Sequence, residues 1–584
     1  TRVYSKIALN SSKFGDDKVT LKDDNHVLLV QKIMEFANTE DVSNIQNKSL
    51  IAIGFDSLSI ARYCSFVNNT FGTNYNISDF FQNDFTLEKL LSQLKGRKSL
   101  QLQKTDIPSI AQVKNMTQKI ELTDMQHSYW ISQQGKYTLS ENSALIYVEI
   151  ECQNKINVGK LTEALRKLVL RHPLLISAVS DDGHLVTQLN DLPVIEIPVF
   201  LICNFDETRQ KYSTTNFDLN KAPLFRVCLS ESDDKQIIHF CISLLIADAS
   251  SIQLLMRDWF LFYYEREKEL PVLKTHFANY VHELAKQKES PEYFRAKEYY
   301  QQSIDSIHKA PELYIQQDPA SIVSSSIVHI EHLFDRETSA HLKTMAKKMN
   351  VTSTTLFLAF FCRILSIWSK SPAFSIILTV DGRAFCEQDY NDVVGDFTST
   401  QVLSLNCNGH KIDELIKLIH DRISNNLDYH QFNGIEISRI ISTSGNLTPI
   451  VFTNTIKPSE KYQFGNYAYS WGKRTYSYSQ TPQVWLDCQI FEDDDQLILA
   501  WDYIKEIFPR KMMNDMFSCL LSEIIQFANG DLKKGCVSFT LPNEQRKLRK
   551  DYNSTCTEVI PQMLFSGFLN NVRKRPNNIA IVDK

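Results

Sequence analysis

Apolar positions recur at helical spacing in the first hundred residues. The run from Val27 to Phe36 predicts a helix, and Ile51 to Val67 carries a second helical pattern that begins after Gly54. Thr86 has the side chain of an N-cap for a last helix, whose inner face is Leu87, Leu90, Leu91 and Leu94. Residues 25–97 therefore read as a small helical unit. Residues 1–24 are polar and end in Lys22-Asp23-Asp24, a lead-in or linker. Residues 98–117 are rich in Gln, Lys, Ser and Thr with little periodicity, which is linker composition.

From Glu121 to Pro542 the pattern mixes strands and helices. Leu161, Ala164, Leu165 and Leu168 fall at i, i+3, i+4 and i+7, and this helix is expected to end near His172-Pro173, because the residue before a proline is driven out of the helical region. Phe357, Phe360, Phe361, Ile364, Leu365 and Trp368 make a second stripe, capped by Thr352 or Ser353. Ile238, Phe240 and Ile242 alternate with His239, Cys241 and Ser243, a strand signal, and Gln483–Trp501 alternates similarly.

Length and composition narrow the class. At 584 residues the chain is too long for one core, so about two to four domains are expected. Hydrophobic residues make up 43% and charged residues 22%, a globular mix, and the formal net charge of −5 with no basic run gives no footprint for nucleic acid. The twelve cysteines never fall within ten residues of one another, so spacing offers no metal-ligand pair, and they read as reduced thiols of a cytoplasmic protein. The N-terminal residues lack the apolar core of a signal peptide. The greasiest stretch, Leu356 to Trp368, is interrupted by Arg363 and falls short of the roughly 20 residues a bilayer requires, so no membrane span is expected.

Ser57 follows Gly54-Phe55-Asp56 and opens the second helix. A serine at a helix start is commonly only a cap. A helix N-terminus also favours an attached phosphate, through its free N–H groups and its dipole. The stretch resembles the attachment site of acyl, aryl and peptidyl carrier proteins, which implies a four-helix carrier with 4′-phosphopantetheine on Ser57.

Several strings after the linker resemble, in order, the heterocyclization branch of the condensation domains of non-ribosomal peptide synthetases. They are Glu121-Leu122-Thr123-Asp124-Met125-Gln126-His127-Ser128-Tyr129-Trp130, Arg171-His172-Pro173-Leu174-Leu175, Leu244 to Ser251, Gly395-Asp396-Phe397-Thr398, Pro449-Ile450-Val451-Phe452-Thr453, and Ser479-Gln480-Thr481-Pro482-Gln483-Val484-Trp485-Leu486-Asp487. The resemblance implies an α+β fold of two chloramphenicol-acetyltransferase-like lobes over residues 118–543, an N-lobe to about 295 and a C-lobe from about 296, with a tunnel between them. Tyr552-Asn553-Ser554-Thr555 and Ile579-Ala580-Ile581-Val582-Asp583 resemble the entry to an adenylation domain, truncated within residues 544–584. The implied partners are that adenylation domain, a downstream acceptor carrier and a phosphopantetheinyl transferase. The implied reaction is amide formation with a carrier-bound Cys, Ser or Thr, then ring closure and loss of water to a thiazoline or oxazoline. Asp487 and Thr453 match the family's catalytic residues, and Ser243, Asp248, Ser251, Gln480 and Asp396 match its motif positions. A desolvated carboxylate suits such work because burial raises its pKa toward neutrality.

The chain departs from the pattern in places. Aligned on Asp248, neither histidine of the peptide-forming HHxxxDG motif is present. In the DxxxxDxxS motif of the heterocyclization branch Asp248 and Ser251 match, but Ser243 replaces the first Asp, and a hydroxyl carries no charge to pair with a cation. His239 shares a strand face with Ser243, yet four residues along a strand is roughly 13 Å, too far for a direct bond. Asn454 stands where a Ser is usual and Cys488 where a His is common. These departures keep open a condensation-only or cyclization-only domain and a silent docking platform for carriers. A free-standing acyltransferase is disfavoured by the missing histidine.

Overall fold

The computed structural model describes residues 24–37, 45–95, 97, 119–133, 143–187, 194–322, 325–441, 449–456, 471–530, 543–554, 563–579 and 581–582. The chain divides into two compact units, Thr1–Val537 and Ser538–Lys584. Most of the lead-in, the linker 98–117, and Thr555, Ala580 and Asp583 lie outside the described residues. Within the second unit the described helices are Asn543–Asn553 and Ser566–Lys574.

The first helices follow the apolar stripes. Helix Asp24–Ala37 is followed by the short helix Leu50–Ile53, helix Ser57–Phe71, a short helix Ile77–Phe81 and helix Leu87–Gln93. Thr86 caps the last of these by accepting from Lys89 N at 3.3 Å. Gly54, at φ +128°, ends Leu50–Ile53 in a conformation that favours glycine and turns the chain into the next helix. Leu29, Ile33, Tyr63, Val67 and Phe80 fill the centre of this bundle. Fully burying each such side chain is worth about 1.5–3 kcal/mol.

The strands, in chain order, are β1 (Lys119–Glu121), β2 (Leu145–Cys152), β3 (Ser177–Val179), β4 (His184–Thr187), β5 (Val199–Leu201), β6 (Phe225–Glu231), β7 (Gln236–Ser243), β8 (Ile327–Leu333), β9 (Ala373–Asp381), β10 (Thr398–Asn406), β11 (Ile450–Asn454), β12 (Gly472–Gln480), β13 (Leu486–Asp493) and β14 (Gln496–Ile504). They build a five-stranded sheet β12-β2-β7-β6-β5, a six-stranded sheet β10-β9-β11-β13-β14-β8 and a small sheet β1-β4-β3. β12 belongs by sequence to the second half but pairs with β2 in the first sheet, which ties the two halves together.

Helices Val158–Arg171 and Ala249–Tyr263 cover one face of the five-stranded sheet, where Leu161, Leu165, Leu255 and Trp259 pack with Ile238, Phe240 and Ile242. Tyr212, from helix Phe205–Thr214, packs with Tyr147, Cys228 and Cys241 as a smaller cluster. β7 is therefore buried along its whole length, although its alternation reads as half-exposed. The segment Gln483–Trp501 is not one strand but a hairpin: β13 and β14 turn at Asp494 and Asp495, whose positive φ values of 48° and 64° match the two-residue turns that suit twisted strands.

In the six-stranded sheet the register decides which residues meet. Phe452, Cys488 and Trp501 lie side by side across β11, β13 and β14 and face the core with Phe361 of helix Ser353–Trp368. That helix is capped by Thr352 and buried through its middle from Thr355 to Cys362, and its Arg363 pairs with Glu523 at 3.1 Å. No single described helix is long and apolar enough to cross a membrane. Because strand side chains alternate, Asp487 and Asp502 point to the opposite face.

Candidate functional site

That opposite face closes a cavity of about 300 Å³. Its wall includes Thr453, Asp487 and Gln489 from the six-stranded sheet, Ile146, Asp248 and Met256 from the first half, and Leu58 and Arg62 from helix Ser57–Phe71. The helical segment 24–95 thus meets the large domain at this cavity. Arg62 pairs with Asp381 at the end of β9 at 3.3 Å, Ser49 Oγ donates to Asn350 Oδ1 at 2.5 Å, Ser78 N donates to Asp428 at 2.9 Å, and Phe81 meets His420 edge-on.

Ser57 lies at the first turn of its helix, beside the cap Asp56, whose Oδ1 accepts from Ser59 N at 2.7 Å. Burial pushes the Asp56 carboxyl up. The Ser57 hydroxyl is buried with no hydrogen-bond partner among the described residues, and its neighbours Asp56, Leu58 and Ser59 line the cavity. Ser57 itself is not among the residues that line the cavity.

At the far wall the Thr453 hydroxyl donates to Asp487 Oδ1 at 2.8 Å, and Gln489 Nε2 donates to Oδ2 at 2.9 Å. Burial, reinforced by the charge of Asp502 on the next strand, pushes the Asp487 carboxyl up to about 7 against these hydrogen bonds. A carboxyl poised there is populated in both forms near neutral pH and can take and return a proton. The hydroxyl and amide orient it without neutralising it.

The remaining motif residues divide from this pair. Asp248 and Ser251 form a buried latch with Arg383: Nη1 reaches Asp248 Oδ2 at 2.5 Å and Nη2 reaches Ser251 Oγ at 2.9 Å. Ser251 Oγ donates to Gly395 O at 2.9 Å, and Phe397 N donates to Asp248 at 3.2 Å, so the latch fastens the two halves. Gly395 is required by close approach, since a Cβ there would overlap the Phe277 ring. Asp396 accepts from Thr398 N at 3.0 Å, while its second oxygen is buried with no partner among the described residues; burial, with the Asp248 charge, pushes it up to about 7. Gln480 Nε2 donates to Ser143 O at 3.0 Å and pins the end of β12.

Ser243 does not pair with His239. Its hydroxyl donates to Ala144 O and accepts from Leu245 N, both at 3.3 Å, and so closes the end of β7. His239 instead contacts the Tyr147 hydroxyl at 2.6 Å and Ser230 Oγ at 2.8 Å. Those groups are fully buried and none of them lines this cavity. Cys488 sits in the apolar core, where burial pushes its thiol well up, and Asn454 accepts from Ile456 N at 3.1 Å.

Sequence reasoning missed Arg383, Gln489, Asp502 and His329. Gln489 was within reach, lying two residues past Asp487 on the same strand face. The others come from distant strands and loops.

With the geometry in place, comparison with known proteins fixes the class. The condensation domain family matches residues 116–548, and the chain belongs to that family. Pyochelin synthetase PchF of Pseudomonas aeruginosa is 26% identical over 414 residues, covering 68% of this chain and 23% of the relative. Phenyloxazoline synthase MbtB of Mycobacterium tuberculosis is 24% identical over 481 residues, covering 79% of this chain and 33% of the relative. The chain spans less than a quarter of the length of bacitracin synthase 1 and PchF. Among solved structures, the EpoB cyclization-docking bidomain of a non-ribosomal peptide synthetase from Sorangium cellulosum is 25% identical with a TM-score of 0.65, covering 76% of this chain and 90% of the other. The synthetase FmoA3, at 22% identity and a TM-score of 0.68 over 79% of this chain and 48% of the other, shares the fold.

Proposed function

We propose that this chain is a segment of a non-ribosomal peptide synthetase that joins an acyl group to a carrier-bound Cys, Ser or Thr and cyclodehydrates the amide to a thiazoline or oxazoline. The observation that carries this reading is the placement of Asp487. It is a buried carboxyl raised to about 7, oriented by Thr453, at the wall of a cavity that also opens on the helix bearing Ser57. The names of the relatives, a phenyloxazoline synthase and a cyclization-docking bidomain, support the same chemistry.

In this reading residues 25–97 are the donor carrier, and Ser57 holds 4′-phosphopantetheine, which would supply a thioester-bearing arm long enough to enter the cavity. A phosphopantetheinyl transferase installs it, residues 544–584 begin an adenylation domain, and a downstream carrier brings the acceptor. The acceptor amine forms the amide and the thiol of the donor thioester departs. The acceptor side chain then adds to the amide carbonyl, giving its S–H or O–H proton to Asp487. Asp487 passes that proton to the former carbonyl oxygen, giving a hydroxyl; the ring nitrogen then gives up its N–H proton as the C=N bond forms, and Asp487 delivers a proton to the hydroxyl, which leaves as water. Thr453 keeps one carboxyl oxygen aligned throughout. Where the family has Asp, the Ser243 hydroxyl is satisfied on the backbone.

The test is product mass. The chain is loaded at Ser57 with a panel of benzoyl and aminoacyl donors and supplied with a cysteinyl carrier. The expected product is one water lighter than the linear amide. A linear amide alone would assign condensation only. No transfer from any verified loaded donor would leave a docking platform.

A further inference from the structure

Asp487 does not stand alone on its sheet face. β13, β14 and β8 are adjacent, and their register places Asp487, Asp502 and His329 in one row. His329 Nδ1 meets Asp502 Oδ1 at 2.6 Å, and its Nε2 meets Glu331 at 3.2 Å. Asp502 Oδ2 accepts from Ser479 N at 2.9 Å and from Gln489 Nε2 at 2.7 Å, and the same amide reaches Asp487 at 2.9 Å. Asp502 is 3% exposed and Asp487 9%. Two buried carboxylates side by side disfavour double ionisation, and a neighbouring cation selects which one carries the charge.

We propose that His329 and Asp502 are positioning residues for Asp487: His329 pairs with Asp502, and the Asp502 carboxylate, joined to Asp487 through the Gln489 amide, holds the exchangeable proton on Asp487. The inference rests on the reading of Asp487 as the proton carrier. Among the described residues, the other charged and titratable groups facing the row are Glu331 from β8, Arg474 and Tyr476 from β12, Asp493 at the end of β13, Tyr129 from helix Asp124–Ser132, and Arg209 with its partner Glu149 over the Tyr476 ring. Arg474 bonds Glu331 at 3.1 Å and closes the outer end, so the cation nearest Asp502 is His329. Burial opposes the imidazolium, yet its bonds to Asp502 and Glu331 raise it to about 9.

The test reads the pH dependence of ring closure with whichever donor the wild-type chain turns over. Asp502→Asn removes the neighbouring charge, and the limb set by Asp487 is expected to move down by about one pH unit. His329→Gln removes the cation while keeping a donor, so the proton passes toward Asp502 and the limb is expected to move down, in the same direction as in Asp502→Asn. In the double variant His329→Gln adds no further shift, because it acts through Asp502. Rate losses uniform in pH with a stationary limb would mean a structural role and overturn the proposal. Should Asp502→Asn fail to fold, proton NMR of the wild-type His329 ring decides: an imidazolium retained through about pH 8 supports it, and titration near 6.5 overturns it. Full ring closure by Asp487→Asn would instead overturn the reading beneath it.

Discussion

Asp248 and Asp487 are both buried aspartates at the same cavity, and they differ in their neighbours. Asp248 receives the Arg383 guanidinium and two backbone N–H groups, so its charge is matched and its place is fixed. Asp487 receives the Thr453 and Ser479 hydroxyls and an amide and faces a second carboxylate, so its charge is unmatched and its proton is exchangeable. The first arrangement holds two halves of a domain together. The second can do acid–base chemistry. Residue type and burial alone do not separate them; the partner does.

Removing each partner breaks the comparison from one side. Arg383→Met leaves Asp248 buried without its cation and is expected to cost about 3–5 kcal/mol of stability, read by denaturant unfolding. Asp487→Asn keeps the shape but not the proton, and is expected to slow ring closure about 10²–10⁴-fold while the fold persists, read by single-turnover product mass. An Arg383 variant of wild-type stability, or a correspondingly unstable Asp487 variant, would erase the distinction.

Asp396 sharpens it. Like Asp487 its carboxyl is raised, so between about pH 4 and 7 the folded chain holds protons that the unfolded chain has released. The unfolded state then binds fewer protons, and stability falls as pH rises through that window. Asp396→Asn removes one such group and is expected to gain about 1–3 kcal/mol at pH 8 and far less at pH 4, seen as a flatter plot of stability against pH. Smaller still, Thr453→Val removes an orienting hydroxyl and is expected to slow ring closure about tenfold, about 1.4 kcal/mol, with little change in stability.

Local signals made much of the fold legible. Thr86 and Thr352 cap the helices their sequences announce, and His172-Pro173 ends helix Val158–Arg171. Covering is not local: β7 alternates in sequence but is buried on both faces, because a second helix packs where solvent would be expected. Nor did alternation across Gln483–Trp501 reveal the reversal at Asp494-Asp495. Ser57, Thr453 and Asp487 stand out as candidates because motif strings surround them, and the structure brings Thr453 and Asp487 together at one cavity wall. Arg383 reaches Asp248 across 135 residues, and His329 reaches Asp502 across 173, so only folding brings them together. The Ser243 substitution was legible as a loss, and its backbone partners appear only in three dimensions.

The central claim, that Asp487 holds an exchangeable proton because its partners do not match its charge, is tested most directly by titrating that carboxyl in the folded chain. Infrared difference spectra of the wild type against Asp487→Asn isolate its protonated C=O band. The account predicts a band that disappears with a midpoint near 7. A band already lost at the ordinary aspartate value, near pH 4, would contradict it.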